Sequence, residues 1–92
     1  MAKALRILHG EIRTPPVSVE ARKEIGFLLR QLQEGMALSL PASRPMPGIE
    51  SGCHELRVQD EGHDWRVVYA VERDAILILE VFERARRRLR YT

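Results

Sequence analysis

Residues 53–82 decide the fold: Cys53-His54-Glu55-Leu56-Arg57-Val58-Gln59-Asp60, a break at Glu61-Gly62-His63-Asp64, then Trp65-Arg66-Val67-Val68-Tyr69-Ala70-Val71-Glu72, and after Arg73-Asp74 the run Ala75 to Phe82. The first segment alternates, with His54, Leu56 and Val58 on one side and Glu55, Arg57 and Gln59 on the other, as a half-buried strand requires. The second is rich in the β-branched and aromatic residues that suit a pleated surface, and the glycine-containing break supplies turn chemistry. These two read as a β-hairpin. The third is apolar on both faces apart from Glu80, and the short Arg73-Asp74 connection makes the whole a three-stranded antiparallel meander.

If all four residues of the break form the turn, Asp60 pairs with Trp65, Gln59 lies opposite Arg66 and Arg57 opposite Val68. Arg57 and Arg66 are then diagonal neighbours on one face. Leu56, Val58, Val67, Tyr69 and Val71 project from the other face, which must be the covered one.

A helix able to cover it lies upstream. Ser18 has the chemistry of an N-cap, and Glu20 puts negative charge in the first turn. Ala21, Ile25, Leu28, Leu29, Leu32 and Met36 then recur at steps of three and four, predicting a helix over Val19–Gly35 with one apolar stripe. Glu20, Lys23, Glu24, Arg30, Gln31 and Glu34 fall on its solvated faces. Gly26 inside this helix costs about 1 kcal/mol relative to alanine, which suggests a site of close packing. Thr14-Pro15-Pro16 interrupts the chain before the helix, and Ala4 to Leu8 could form a short first strand. Pro41, Pro45, Pro47 and Gly48 make residues 40–52 an extended surface loop. The expected fold class is α+β, an N-terminal helical segment packed on a small antiparallel β-sheet with a short basic C-terminal segment, in one domain over residues 1–92.

Ninety-two residues suffice for one compact core. Cys53 is the single cysteine and cannot close an intramolecular disulfide, and the first 30 residues hold no apolar stretch of signal-peptide length. The longest apolar run, Ala75 to Leu79, is far below the roughly 18 residues of a membrane helix. A cytoplasmic protein without a membrane segment is expected. His9, His54, His63 and Cys53 show neither Cys-x-x-Cys nor His-x-x-x-His spacing, so no metal or cofactor site is expected. No helix-turn-helix is legible, which argues against DNA binding through a recognition helix.

The net charge is only +2, but the cations are 13 Arg against two Lys. Arginine's planar fork matches phosphate and stacks on bases, which suits RNA contact; the plain alternative is the codon bias of a GC-rich genome. Arg84, Arg86, Arg87, Arg88 and Arg90 crowd the last segment, Glu83–Thr92, which reads as a short helix or a tail. Two like charges as close as Arg57 and Arg66 are unfavourable unless an anion or an acidic side chain lies nearby. Glu55 and Glu72 could supply ordinary surface ion pairs there.

Three blocks, in this order and spacing, resemble the HigB-like, phage-derived toxin families of the RelE/ParE superfamily. They are the helix ending Leu32-Gln33-Glu34-Gly35, the segment Met46-Pro47-Gly48-Ile49 leading to Glu55-Leu56-Arg57-Val58, and Trp65-Arg66-Val67-Val68-Tyr69; Ile78-Leu79-Glu80-Val81-Phe82 and Arg84 continue the pattern. The resemblance implies a RelE-like fold and the toxin of a type II toxin-antitoxin system, commonly a metal-independent endoribonuclease that cuts mRNA on the ribosome. It also implies a helix-turn-helix antitoxin as partner. By position it implies catalytic roles for Arg57, the basic residue of the second strand, Arg66, the arginine before Val-Val-Tyr, and Arg84, the basic residue after the last strand.

Arginine beside a scissile phosphate stabilises charge that develops as a 2′-hydroxyl attacks in line. It is a poor proton acceptor at neutral pH, so a base must come from His54, His63, a carboxylate or the ribosome. His54, at the start of its strand, is the first candidate. Arg86, Arg87, Arg88 and Arg90 are candidates for RNA contact, and Tyr91 for base stacking or proton transfer. Relatives often continue with further basic residues and a longer final helix, for which the arginine cluster could stand in. A ParE-like inhibitor of DNA gyrase and an inactive, protein-binding homologue are the competing readings, which differ in target rather than in fold.

Overall fold

The computed structural model describes residues 2–46 and 52–84. Helix α1 spans Val19–Gln33. Ser18, in extended backbone, accepts a hydrogen bond on its Oγ from the Ala21 amide at 3.0 Å, satisfying one of the donors a helix start leaves orphaned. Glu34 closes the helix and Gly35 departs with φ of 90°, a conformation that glycine takes without strain. The chain therefore leaves the helix before Met36, which is exposed and does not extend the apolar stripe. Ala21, Ile25, Leu28, Leu29 and Leu32 are buried against Leu56, Val58, Trp65, Val67, Tyr69, Ile76 and Ile78 of the sheet.

That sheet has five strands in the order β1-β5-β4-β3-β2: β1 Ala4–Ile7, β2 Ser43–Pro45, β3 Cys53–Asp60, β4 His63–Val71 and β5 Ala75–Glu83. The three long strands are the expected antiparallel meander. Two short strands enlarge it. β1 pairs with β5 in parallel, Ala4 opposite Ala75 and Ile7 opposite Ile78, so the sheet is mixed rather than purely antiparallel. β2 forms inside the proline-rich loop and pairs with the start of β3. Pro45, lacking an amide donor, helps blunt that edge. The N-terminal segment is tied to both layers: the Lys3 amide donates to the Gln33 carbonyl, Gln33 Nε2 donates to the Lys3 carbonyl, and Lys3 Nζ donates to the Glu72 and Arg73 carbonyls at 2.7 and 2.8 Å.

The hairpin turn contains two residues, Glu61 and Gly62, not four, because Gly62 adopts φ of 82° and lets the chain reverse at once. Asp60 thus pairs with His63, and Arg57 stands directly opposite Arg66. The register differs from the sequence expectation by two residues. An even shift keeps every side chain on its predicted face but turns the diagonal arginines into a direct cross-strand pair. Between β4 and β5 the register slips at Val68/Tyr69: Val68 faces Glu80 and Tyr69 faces Ile78, leaving Leu79 as the extra residue of a bulge. Ile76, Ile78 and Val81 consequently pack on the helix side while Glu80 and Phe82 occupy the other. Val71, expected in the core, lies at the strand end and is exposed.

On the helix side the Ser43 hydroxyl and the Tyr69 phenol share a buried hydrogen bond of 2.6 Å. Burial pushes the Tyr69 phenol above its ordinary value, and the Ser43 bond pulls it part of the way back.

Gly26 does not mark close packing. It is exposed, and a methyl group added there would meet nothing within 4 Å. Gly26→Ala should therefore stabilise the protein by about 0.5–1 kcal/mol, through helix propensity alone. Urea unfolding should show a raised midpoint with an unchanged slope; a lowered midpoint would show that the position serves packing after all.

Candidate functional site

The register orders the sheet face that points away from α1. One row across β3, β4 and β5 holds Arg57, Arg66 and Phe82. The row nearer the hairpin turn holds Gln59, Asp64 and Arg84; the Arg84 amide donates to the Asp64 carbonyl at 2.8 Å and so extends the ladder by one position. The row on the other side holds Glu55, Val68 and Glu80, with Arg44 of β2 opposite Glu55. Arg57, Arg66 and Arg84, singled out on sequence grounds, therefore come together on one face of three adjacent strands.

Their environments differ sharply. Arg66 is 1% exposed. Both terminal nitrogens engage the Asp64 carboxylate, Nη1 with Oδ1 and Nη2 with Oδ2 at 3.1 Å. Nη1 also donates to the Trp65 carbonyl at 3.3 Å, and Nε lies 3.3 Å from Glu55 Oε1 without hydrogen-bond geometry. Glu55 is itself buried and is approached by Arg44 Nε at 3.6 Å. Burying a guanidinium is tolerable only when its charge is met, and here two carboxylates meet it, Asp64 through hydrogen bonds to both terminal nitrogens and Glu55 by proximity to Nε. Arg66 thus points away from the apolar core, as expected, but not into solvent. Its partners are Glu55 and Asp64; Glu72, the other acid considered on sequence grounds, is not among them.

Arg57 is half-buried and Arg84 exposed, and among the described residues neither has a carboxylate at ion-pairing distance. Arg57, whose amide donates to the Ala42 carbonyl just before β2, borders a hollow lined also by Glu24, Pro41, Ala42 and Gln59. Of the three arginines singled out, Arg57 and Arg84 are therefore the ones left to a ligand, with Arg66 held between them; among the described residues Arg6 of β1, opposite Leu77, is a further exposed cation on this face.

The histidines divide between the two sides of the sheet. His54 pairs with Tyr69 on the helix side and stacks on its ring at 5.4 Å, with Nδ1 3.2 Å from the Gly52 carbonyl. It does not join the three arginines. His63 also belongs to the helix side, stacked on Trp65 at 6.1 Å, with Nδ1 2.6 Å from Glu83 Oε2. His9, which sequence reasoning considered only as a metal ligand, contacts Glu80 of the arginine face, Nδ1 to Oε2 at 3.0 Å. Arg86, Arg87, Arg88, Arg90 and Tyr91 lie outside the described residues. Asp64 was missed because the four-residue turn absorbed it; the glycine at position 62 was the signal that a shorter turn would place it in the strand. The contact between His9 and Glu80 joins residues far apart in the chain and left no local signal.

Fold and site together define a small α+β protein in which the sheet face turned away from α1 is organised around ion-paired arginine. A family model described as phage derived protein Gp49-like matches residues 15–90, and the chain belongs to that family. No curated protein and no solved structure matches the chain. Among the described residues, no helix is long and apolar enough to cross a membrane.

The arginine cluster carries a prediction about stability. Arg66→Met removes the cation that lies against both the buried Glu55 and Asp64, at an expected cost of about 3–5 kcal/mol. Chemical denaturation should register this as a large drop in midpoint. A loss under about 1 kcal/mol, the range of an exposed ion pair, would show that the acids find solvent instead.

Proposed function

We propose that this protein is the toxin of a type II toxin-antitoxin system, of the HigB-like branch of the RelE/ParE superfamily, and that it cleaves mRNA on the ribosome without a metal ion. One observation carries the proposal: Arg57 and Arg84 flank an immobilised Arg66 on a single sheet face, without internal acidic partners among the described residues. Membership of a phage-derived family and the sequence resemblance support the same reading.

In this mechanism a 2′-hydroxyl attacks the adjacent phosphate in line, and negative charge grows on the non-bridging oxygens. Arg57 and Arg84 offer fixed positive charge and directed donors to those oxygens. Arg66 acts as a positioning residue: its ties to Asp64 and Glu55 brace β3, which carries Arg57, against β4, whose Asp64 carbonyl accepts from the Arg84 amide. His54 has no part in this site, since it lies across the sheet. The antitoxin would be a helix-turn-helix protein covering the arginine face with acidic or apolar groups, and the site of action would be the cytoplasm, where ribosomes are.

Induced expression in bacteria, followed by mapping of transcript ends, tests this. The wild-type chain should cut transcripts within reading frames, and Arg57→Ala or Arg84→Ala should each slow cutting by about 10- to 100-fold, below the loss typical of a fully buried oxyanion donor. Circular dichroism should remain that of the wild type. Intact transcripts accompanied by DNA breaks would replace the proposal with gyrase inhibition, and absence of both with a protein-binding role.

A further inference from the structure

Cleavage by a 2′-hydroxyl needs a group to take its proton, and the arginines cannot. The base must be on the arginine face, have a lone pair at neutral pH and be reachable by substrate. Of the three histidines, His54 and His63 fail the first condition, being stacked on Tyr69 and Trp65 of the other side. His9 meets it through Glu80, which the bulge at Val68/Tyr69 turns onto that side. Glu80 stands opposite Val68 and Arg66 stands opposite Phe82, so the two are diagonal neighbours, about 7–8 Å apart at the backbone.

The local construction aims His9 rather than merely leaving it near an acid. Immediately after it, Gly10 takes φ of 90°, and a Cβ there would sit 2.8 Å from the Val81 backbone nitrogen. Only glycine lets the chain turn and press against β5 at this point. The same Val81 amide donates to Glu80 Oε1 at 2.9 Å, which leaves Oε2 for His9 Nδ1 at 3.0 Å. The Val81 hydrogen bond, and after it the histidine, hold the Glu80 carboxyl below its ordinary range, so it is a carboxylate at neutral pH. An ionised carboxylate at Nδ1 selects the tautomer with the proton on that nitrogen and leaves a lone pair on Nε2. His9 is largely exposed, as a group that must meet substrate should be.

We propose that His9 is the general base of RNA cleavage, oriented by Glu80. This inference rests on the ribonuclease reading above. The 2′-hydroxyl proton passes to His9 Nε2 as O2′ bonds to phosphorus. The P–O5′ bond then breaks, and the 5′ oxygen leaves with a proton taken from water. The imidazolium returns its proton to the hydroxide so formed, and the products are a 2′,3′-cyclic phosphate end and a 5′-hydroxyl end. His9 is a catalytic residue in this scheme and Glu80 a positioning residue.

The test uses the full chain with programmed ribosomes, comparing wild type, His9→Ala, Glu80→Gln and Glu80→Asp for cleavage rate and for the chemistry of the new ends. His9→Ala should lose about 100-fold in rate while its circular dichroism and ribosome binding stay unchanged, and added imidazole should restore a substantial part. Glu80→Gln should lower kcat with KM unaltered, and Glu80→Asp should retain more activity than Glu80→Gln. An active wild type with an unimpaired His9→Ala overturns the dyad and leaves the ribonuclease reading standing. So does a His9→Ala defect that imidazole does not relieve, because a structural role would behave that way. A wild type that cuts nothing overturns both.

Discussion

A guanidinium with almost no exposed surface has to be neutralised where it sits, and in this protein Asp64 and Glu55 do so from two adjacent strands. Desolvation makes the arrangement demanding: each of the three charges is tolerable only while the others stay in place. The ion-paired cluster lies across the central hairpin of the sheet, on the side the helix leaves uncovered. It fixes the β3/β4 pairing from that side as Leu56, Val58 and Val67 fix it from the other. The arginine face is thus a second organised layer, polar where the first is apolar.

Function follows from how this layer distributes its charge. Arg66 is already neutralised by two carboxylates; on the proposed reading Arg57, on β3, and Arg84, just after β5, supply the positive field a phosphate would meet. The imidazole that meets this face, His9, comes from the segment after β1, at the far side of β5, so on the proposed reading the proton acceptor and the arginines come from different strands.

The helix, its Ser18 cap and the three long strands were legible in the residues, because periodicity and turn composition are local properties. The faces of the two hairpin strands were legible too: a misjudged turn moved the register by two residues, and the twofold period of a strand hides such an error. What it concealed was the partner of Arg66. With Asp64 assigned to the turn, the arginine pair looked exposed, met either by an anion or by surface pairs with Glu55 and Glu72; with Asp64 in β4, Arg66 is buried and paired with Asp64. The two edge strands were harder. β1 is exposed over all four residues and β2 is three residues long, so neither carries a burial pattern that alternation could reveal.

By itself the sequence determined which side chains share a face, that the apolar stripe of α1 must cover one side of the hairpin, and that arginines occupy the other. Those are consequences of backbone geometry, the same in any protein. Only the tertiary structure decided which arginine is neutralised and which histidine meets the arginine face. Both depend on pairings across the sheet, one on a single glycine at position 62, the other on a bulge in β4/β5 and the approach of Gly10 to Val81. No local preference encodes such meetings, because they are settled by where separate segments of chain come to rest against each other.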